Sequence, residues 1–368
     1  MARKVRTDFS SEHDGTLEVM TIAACFARGY ASIMVKETAL ILAGAVAKGA
    51  FEAGALEVLS ERAADLGITR VVGASAGALN ASVFAVGLRA RAERRVATKL
   101  CELWADAATW HNVVDFNLRD ALALKGVGTA DRVLTLMQNA VANVGSSSPR
   151  ELGLWLVVTA LRGARGSIGG APATTFEQAL DFYGAALDGS AQHTRIFQAA
   201  LASAAFPVLF APVELPSVGA CVDGGTVNNA PIRLALEGSA VERIVVISPQ
   251  PLLERAPEPL SGVNLLGQVA NIAINERLYR DLHDAESVNA RLRALEALQA
   301  DGVPLDAIER VKRALGWRPL EIIQIRPQEA LQGNVFEGFG NHTRRLEYIE
   351  AGRTAARAQL GKLVSAPA

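Results

Sequence analysis

Cysteine is scarce in this chain. Cys25, Cys101 and Cys221 are the only three in 368 residues. Three scattered thiols are too few for a disulfide framework or a structural zinc site, and buried free thiols fit a reducing, cytoplasmic compartment. An excess of one charge is also missing. There are 37 Lys and Arg against 38 Asp and Glu, for a formal net charge of −1. Without a long basic block, the balance argues against a nucleic-acid partner. No segment reaches the ~18 uninterrupted apolar residues of a membrane span. The start carries Arg3, Lys4 and Arg6, but Glu12, Asp14 and Glu18 follow and the apolar stretch 19–26 runs into Arg28, which makes a poor secretory signal. No His, Cys, Asp or Glu cluster has metal-site spacing, so neither a metal nor another cofactor is expected. No internal repeat and no clear linker interrupt the chain. What remains is a globular composition, 50% hydrophobic and 20% charged, long enough to bury one large core or two smaller ones.

The most informative stretch is Arg70-Val-Val-Gly-Ala-Ser-Ala-Gly-Ala-Leu-Asn80. Val71 and Val72 read as the end of a buried strand, and Ala78 onward reads as a helix. Between them Gly73-Ala74-Ser75-Ala76-Gly77 is a G-x-S-x-G pentapeptide, of which chance supplies roughly 0.1 in a chain like this. A strand running straight into a helix forces a tight, strained turn. Gly73 and Gly77 lack Cβ atoms and let strand and helix approach closely. The Ser75 hydroxyl is then lifted above the sheet at the positive end of a helix, as a nucleophile requires.

Apolar runs at 38–42, 70–73, 152–161, 243–248 and 320–325 read as strands, with short strands at 213–215 and 220–222. Helical spacing covers 50–66, 76–88, 92–107, 130–144, 194–204, 265–298 and 344–363, with a short helix at 115–124. The segment Gly145–Pro149 reads as a loop, and Gly163–Pro172 as a loop or hairpin turn. Strands alternating with helices predict an α/β fold, a three-layer sandwich with a mostly parallel central sheet and helical insertions near 90–150 and 255–318. Residues 1–33 match neither pattern. They read as a natural arm or as an upstream extension, since Met34 sits just before the first strand.

A serine nucleophile needs a base. The best candidate is Asp223, in Cys221-Val-Asp-Gly-Gly225, where it follows a short strand and precedes two glycines that allow a sharp turn. The plainer reading is a solvated turn aspartate. Asn228, Asn229 and Pro231 then open a helix. A tetrahedral intermediate also needs donors. The loop Gly44-Ala-Val-Ala-Lys-Gly49 lies between a strand and a helix, so its amides can face an anion. It has neither the G-K-[ST] ending nor the G-x-G-x-x-G spacing of a nucleotide loop.

Together these pieces resemble the patatin-like phospholipase family. Leu40 to Phe51 sits where that family has its glycine-rich oxyanion loop. Gly73 to Gly77 matches its nucleophile motif. Ala202-Ser-Ala-Ala-Phe-Pro207 and Phe210-Ala-Pro-Val213 look like its small-residue stretch and proline pair. Asp223-Gly224-Gly225, with Asn228-Asn229-Ala230-Pro231, matches its aspartate motif. The resemblance runs from about 38 to 250. It implies an acyl hydrolase with a Ser75–Asp223 dyad and no catalytic His. Its oxyanion amides would come from Gly44, Ala45 and Val46, with Lys48 bracing the loop or meeting a substrate phosphate. The substrate would be a phospholipid or other acyl ester, met in transient contact with a membrane surface.

The implied organisation is an extension over 1–37, a patatin-like domain over 38–328 and a C-terminal helix over 329–368 packed on it. One departure stands out. Ala45 and Val46 occupy positions where the family usually has consecutive glycines, and valine is costly wherever φ is positive. Two alternatives stand beside hydrolysis: an acyltransferase with the same nucleophile, and a catalytically silent lipid-binding protein. In an ordinary hydrolase triad, His283 or His342 would follow Asp223. The charged neighbours Arg280, Asp281 and Asp284 favour a surface role for His283, and the helix-start position of His342 does the same. His13, His111 and His193 precede Asp223 and carry no motif.

Overall fold

The computed structural model describes residues 36–113, 131–168, 171–207, 209–252 and 262–365. The expected helix at 115–124 and the arm at 1–33 lie outside the described residues. The strands are β1 (Thr38–Leu42), β2 (Ile68–Ala74), β3 (Gly153–Ile168), β4 (Ala171–Tyr183), β5 (Val213–Leu215), β6 (Gly219–Val222), β7 (Arg243–Ile247) and β8 (Glu321–Ile325). The longer helices are α1 (Gly49–Ser60), α2 (Ala76–Arg89), α3 (Glu93–Glu102), α4 (Asp131–Ala140), α5 (Ser190–Ser203), α6 (Ile232–Leu236), α7 (Gly262–Ala297), α8 (Leu305–Leu315) and α9 (His342–Ser365).

Eight strands form one sheet in the order β5-β6-β3-β2-β1-β7-β8, with β4 also paired to β3. The β1–β2, β1–β7, β2–β3 and β7–β8 pairs are parallel. The β3–β4, β3–β6 and β5–β6 pairs are antiparallel. The central strand β1, Thr-Ala-Leu-Ile-Leu, is buried along its whole length, as a parallel strand covered on both faces must be. Its side chains alternate between two cores. Leu40 and Leu42 join Phe51, Phe84, Phe197 and Tyr348 on one face. Ala39 and Ile41 join Ile232, Val241, Leu278 and Leu282 on the other. The result is a mixed α/β sandwich with a mostly parallel sheet between helical layers. On the first face α9 lies directly on α1. A Cβ on Gly54 would meet the Ile349 carbonyl at 2.0 Å, and one on Gly352 would meet that of Phe51 at 1.9 Å.

The structure departs from the sequence expectation in three places. Of the two readings of 163–172 the hairpin holds, but β3 runs past 161 to Ile168 and returns as β4, an antiparallel strand of 13 residues that the sequence reading does not assign. The helix expected over 50–66 breaks after Ser60 and restarts at Ala63–Leu66. The helix expected over 92–107 is α-helical only to Glu102, and Leu103–Ala107 forms a π-helical turn.

Candidate active site

Only Ser75 separates the last residue of β2 from the first of α2. Its backbone sits at φ 54° and ψ −132°, a region that costs an L-residue about 1–3 kcal/mol and persists only where the surroundings impose it. Those surroundings are visible. A Cβ on Gly77 would lie 2.5 Å from the Leu42 carbonyl, so the first turn of α2 presses against the end of β1. The Ser75 amide donates to Ser203 Oγ at 3.0 Å, and Ser203 Oγ donates to the Val157 carbonyl at 2.5 Å. The turn is thereby tied to both α5 and β3.

Asp223 follows β6 and is 2% exposed. Ser75 Oγ donates to its Oδ2 at 2.7 Å, across 148 residues of sequence. The other oxygen, Oδ1, accepts the Gly225 amide at 2.7 Å. The Asp223 carbonyl accepts Thr159 Oγ1 at 2.7 Å, and its amide donates to Ala205. Burial raises the carboxyl to about 7, against the Ser75 hydroxyl and the Gly225 amide, which both favour the carboxylate. Such a group exchanges a proton near neutrality.

None of the described histidines bonds to Ser75 or Asp223. His283 and His342 are exposed, and His342 lies 3.6 Å from Asp106. His111 sits 3.1 Å from Arg132. His193 is buried against the Leu187 carbonyl. His13 lies outside the described residues. Among the described residues no group of three or more His, Cys, Asp or Glu could hold a metal ion.

The loop after β1 differs from expectation at Gly44 and is strained at Val46. Gly44 is wedged between Ser75 and Asn229: a Cβ there would meet Asn229 Oδ1 at 1.9 Å and Ser75 Cβ at 2.9 Å. Its amide donates to the Asn229 carbonyl at 2.8 Å, so that donor is spent and is not offered to an oxyanion. Val46 does not adopt an ordinary backbone angle. Its φ is +50°, a true outlier for a β-branched residue. The amides of Ala45 and Val46 have no acceptor among the described residues. The loop is held from outside. The Ala47 amide donates to the Val335 carbonyl, and Lys48 Nζ donates to the Leu331 carbonyl at 3.1 Å. Asn229 Nδ2 bonds both the Gly44 carbonyl and Asn275 Oδ1 on α7.

Beside the pair lies a cavity of about 320 Å³, within the range of small-molecule sites. Ser75 and Asp223 contribute to its lining. The rest is almost wholly apolar, including Leu79, Leu100, Trp104, Met137, Leu201 and Phe206. Sequence reading missed Ser203, Asn229 and Trp104. The first two stand inside the quoted motifs, which was the available signal. Trp104 has none.

A profile of the family described as patatin-like phospholipase matches residues 40–236, more than half of the chain. No curated protein matches it. Several solved structures are similar, three of them as follows. VipD from Legionella pneumophila has a TM-score of 0.39 and 15% identity, over 89% of this chain and 67% of that one. The type III effector ExoU has a TM-score of 0.32 and 14% identity, over 89% of this chain and 53% of its own. The ExoU–SpcU complex from the type III secretion system of Pseudomonas aeruginosa has a TM-score of 0.25 and 16% identity, over 88% of this chain and 69% of that one. This chain thus spans about half the length of ExoU. Among the described residues no helix is long and apolar enough to cross a membrane.

Proposed function

The chain belongs to the patatin-like phospholipase family, and on that premise we propose that it is a serine lipid acyl hydrolase with a Ser75–Asp223 dyad. The observation that carries the reading is the 2.7 Å contact between Ser75 Oγ and Asp223 Oδ2 at an apolar cavity.

Asp223 Oδ2 takes the hydroxyl proton as Ser75 Oγ bonds to the ester carbonyl carbon. The carbonyl π electrons move onto its oxygen, and the free amides of Ala45 and Val46 are the available donors to it. When the tetrahedral centre collapses, the C–O bond to the alcohol breaks and Asp223 returns its proton to the leaving oxygen. A water then gives a proton to Asp223 and attacks the acyl-enzyme, Ser75 recovers its hydrogen, and the fatty acid leaves. An aspartate can serve without an imidazole because its buried carboxyl ionises near neutrality. The cavity takes the acyl chain, and the substrate, a phospholipid or other acyl ester, is drawn from a lipid surface by transient contact. Residues 38–328 form the hydrolase domain and 329–368 the helix that packs on it.

The test pairs labelling with turnover. A fluorophosphonate should label wild type at Ser75 and leave Ser75→Ala unmarked. Ser75→Ala and Asp223→Asn should each lose at least ~10³-fold in ester hydrolysis, and the double variant should lose little more, since the two act as a unit. Substantial turnover in Asp223→Asn would remove Asp223 as the base. Product analysis with an added alcohol separates hydrolysis from acyl transfer.

A further inference from the structure

Three residues on one side of α2, Ala76, Leu79 and Val83, line the cavity. They stand at helical spacing, so the cavity follows the helix for about 10 Å. Trp104 forms part of its wall and is 8% exposed. Its position is fixed from several directions. It stands in the π-helical turn Leu103–Ala107, a rare geometry that recurs at functional sites. Its ring presses on α1, where a Cβ on Gly49 would lie 2.5 Å from the indole. Its Nε1 donates to Asn80 Oδ1 at 2.7 Å. Asn80 Nδ2 in turn donates to Glu52 Oε2 at 2.9 Å and to the Gly49 carbonyl at 3.0 Å. Asn80 and Glu52 are both wholly buried.

This network is expensive for what it does locally. Glu52 lies in a hydrophobic layer that forces its carboxyl well above the usual carboxylate range, and its Oε1 has no partner. An unpaired buried polar atom is destabilising. A leucine or phenylalanine would fill such a wall without an acid and an amide behind it. What the network adds is one ring orientation. A ring held at one angle sets how far a flexible chain can reach past it.

We infer that Trp104 is the gauge that sets the length of acyl chain the cavity admits, with Asn80 beside it and Glu52 behind as positioning residues. The inference rests on the reading that the cavity takes the acyl chain.

The experiment compares kcat/KM on p-nitrophenyl butyrate, octanoate, laurate and palmitate. Trp104→Ala should raise the palmitate-to-octanoate ratio by ~tenfold or more, within the range that a few methylenes in a hydrophobic pocket can command. Trp104→Leu, a milder change, should move the ratio the same way. Glu52→Gln keeps an acceptor for Asn80 and should preserve the wild-type ratio, whereas Glu52→Leu and Asn80→Leu should flatten the profile. An unshifted ratio in both Trp104 variants, with wild type hydrolysing the series, overturns the gauge. If wild type hydrolyses none of the esters, the hydrolase reading falls instead. The gauge is then judged on calorimetric binding of the corresponding free fatty acids, where an unshifted chain-length preference overturns it.

Discussion

At Asp223 one cause, burial, acts on two observables in opposite directions. The proposed dyad requires an ionised Asp223, so kcat/KM on a neutral ester should rise with pH through about 7 and level off above it. A flat profile across that range would separate the titration from the reaction. Stability runs the other way. The ordinary value is 3.8 and the folded value about 7, so between them the native state holds a proton that the unfolded chain has released. The associated stabilisation is complete below the lower value and is lost as pH rises through the upper one. Asp223→Asn cannot ionise. At about pH 8 it should melt a few degrees above wild type, while at about pH 4 the gain should vanish. Equal shifts at both values would exclude the charge as the cause. The histidines give a second residue-scale test. His283→Ala and His342→Ala should keep activity within about threefold, because both side chains are exposed and neither bonds to Ser75 or Asp223. A ~10³-fold loss in either would restore a triad.

At the scale of the element, the loop from Gly44 to Gly49 was visible in the sequence as a small-residue turn between a strand and a helix. Its geometry was not visible, because its partners lie at Asn229, Leu331 and Val335. The spent amide of Gly44 has the same origin, a contact across 185 residues that no local pattern records. The strain at Val46 yields a measurement. A β-branched residue at φ +50° costs about 1–3 kcal/mol, and glycine would relieve it at an entropic cost of roughly 0.5–1 kcal/mol. Val46→Gly should therefore stabilise the protein by about 1 kcal/mol in urea unfolding. Its turnover should change by less than about tenfold if the Ala45 and Val46 amides already face the site. A hundredfold gain would mean that the native loop is closed. Trp104, Asn80 and Glu52 were beyond local patterns for the same reason as the loop: three separate helical segments bring them together.

Across the whole molecule, the parallel strands were legible as runs of aliphatic residues, since burial on both faces leaves little room for polar ones. The length of the β3–β4 arm was hidden. Gly163, Gly166 and Pro172 punctuate it like a loop, and its ladder depends on pairing rather than on local propensity. Ser75 and Asp223 were legible because each stands in a short motif that a strand end demands. The sheet order carries a practical consequence for the laboratory. The family profile ends at residue 236, yet β7 begins at Arg243 and pairs with β1 along all five of its residues. A gene shortened to the matched region would keep only Leu40-Ile-Leu42 of β1, an apolar edge without β7, stripped of α7 on one face and α9 on the other. Such an edge is a template for intermolecular pairing. The shortened polypeptide should accumulate in inclusion bodies, and its recovery as a soluble monomer would show that the Ser75-bearing half of the sheet folds without its neighbour.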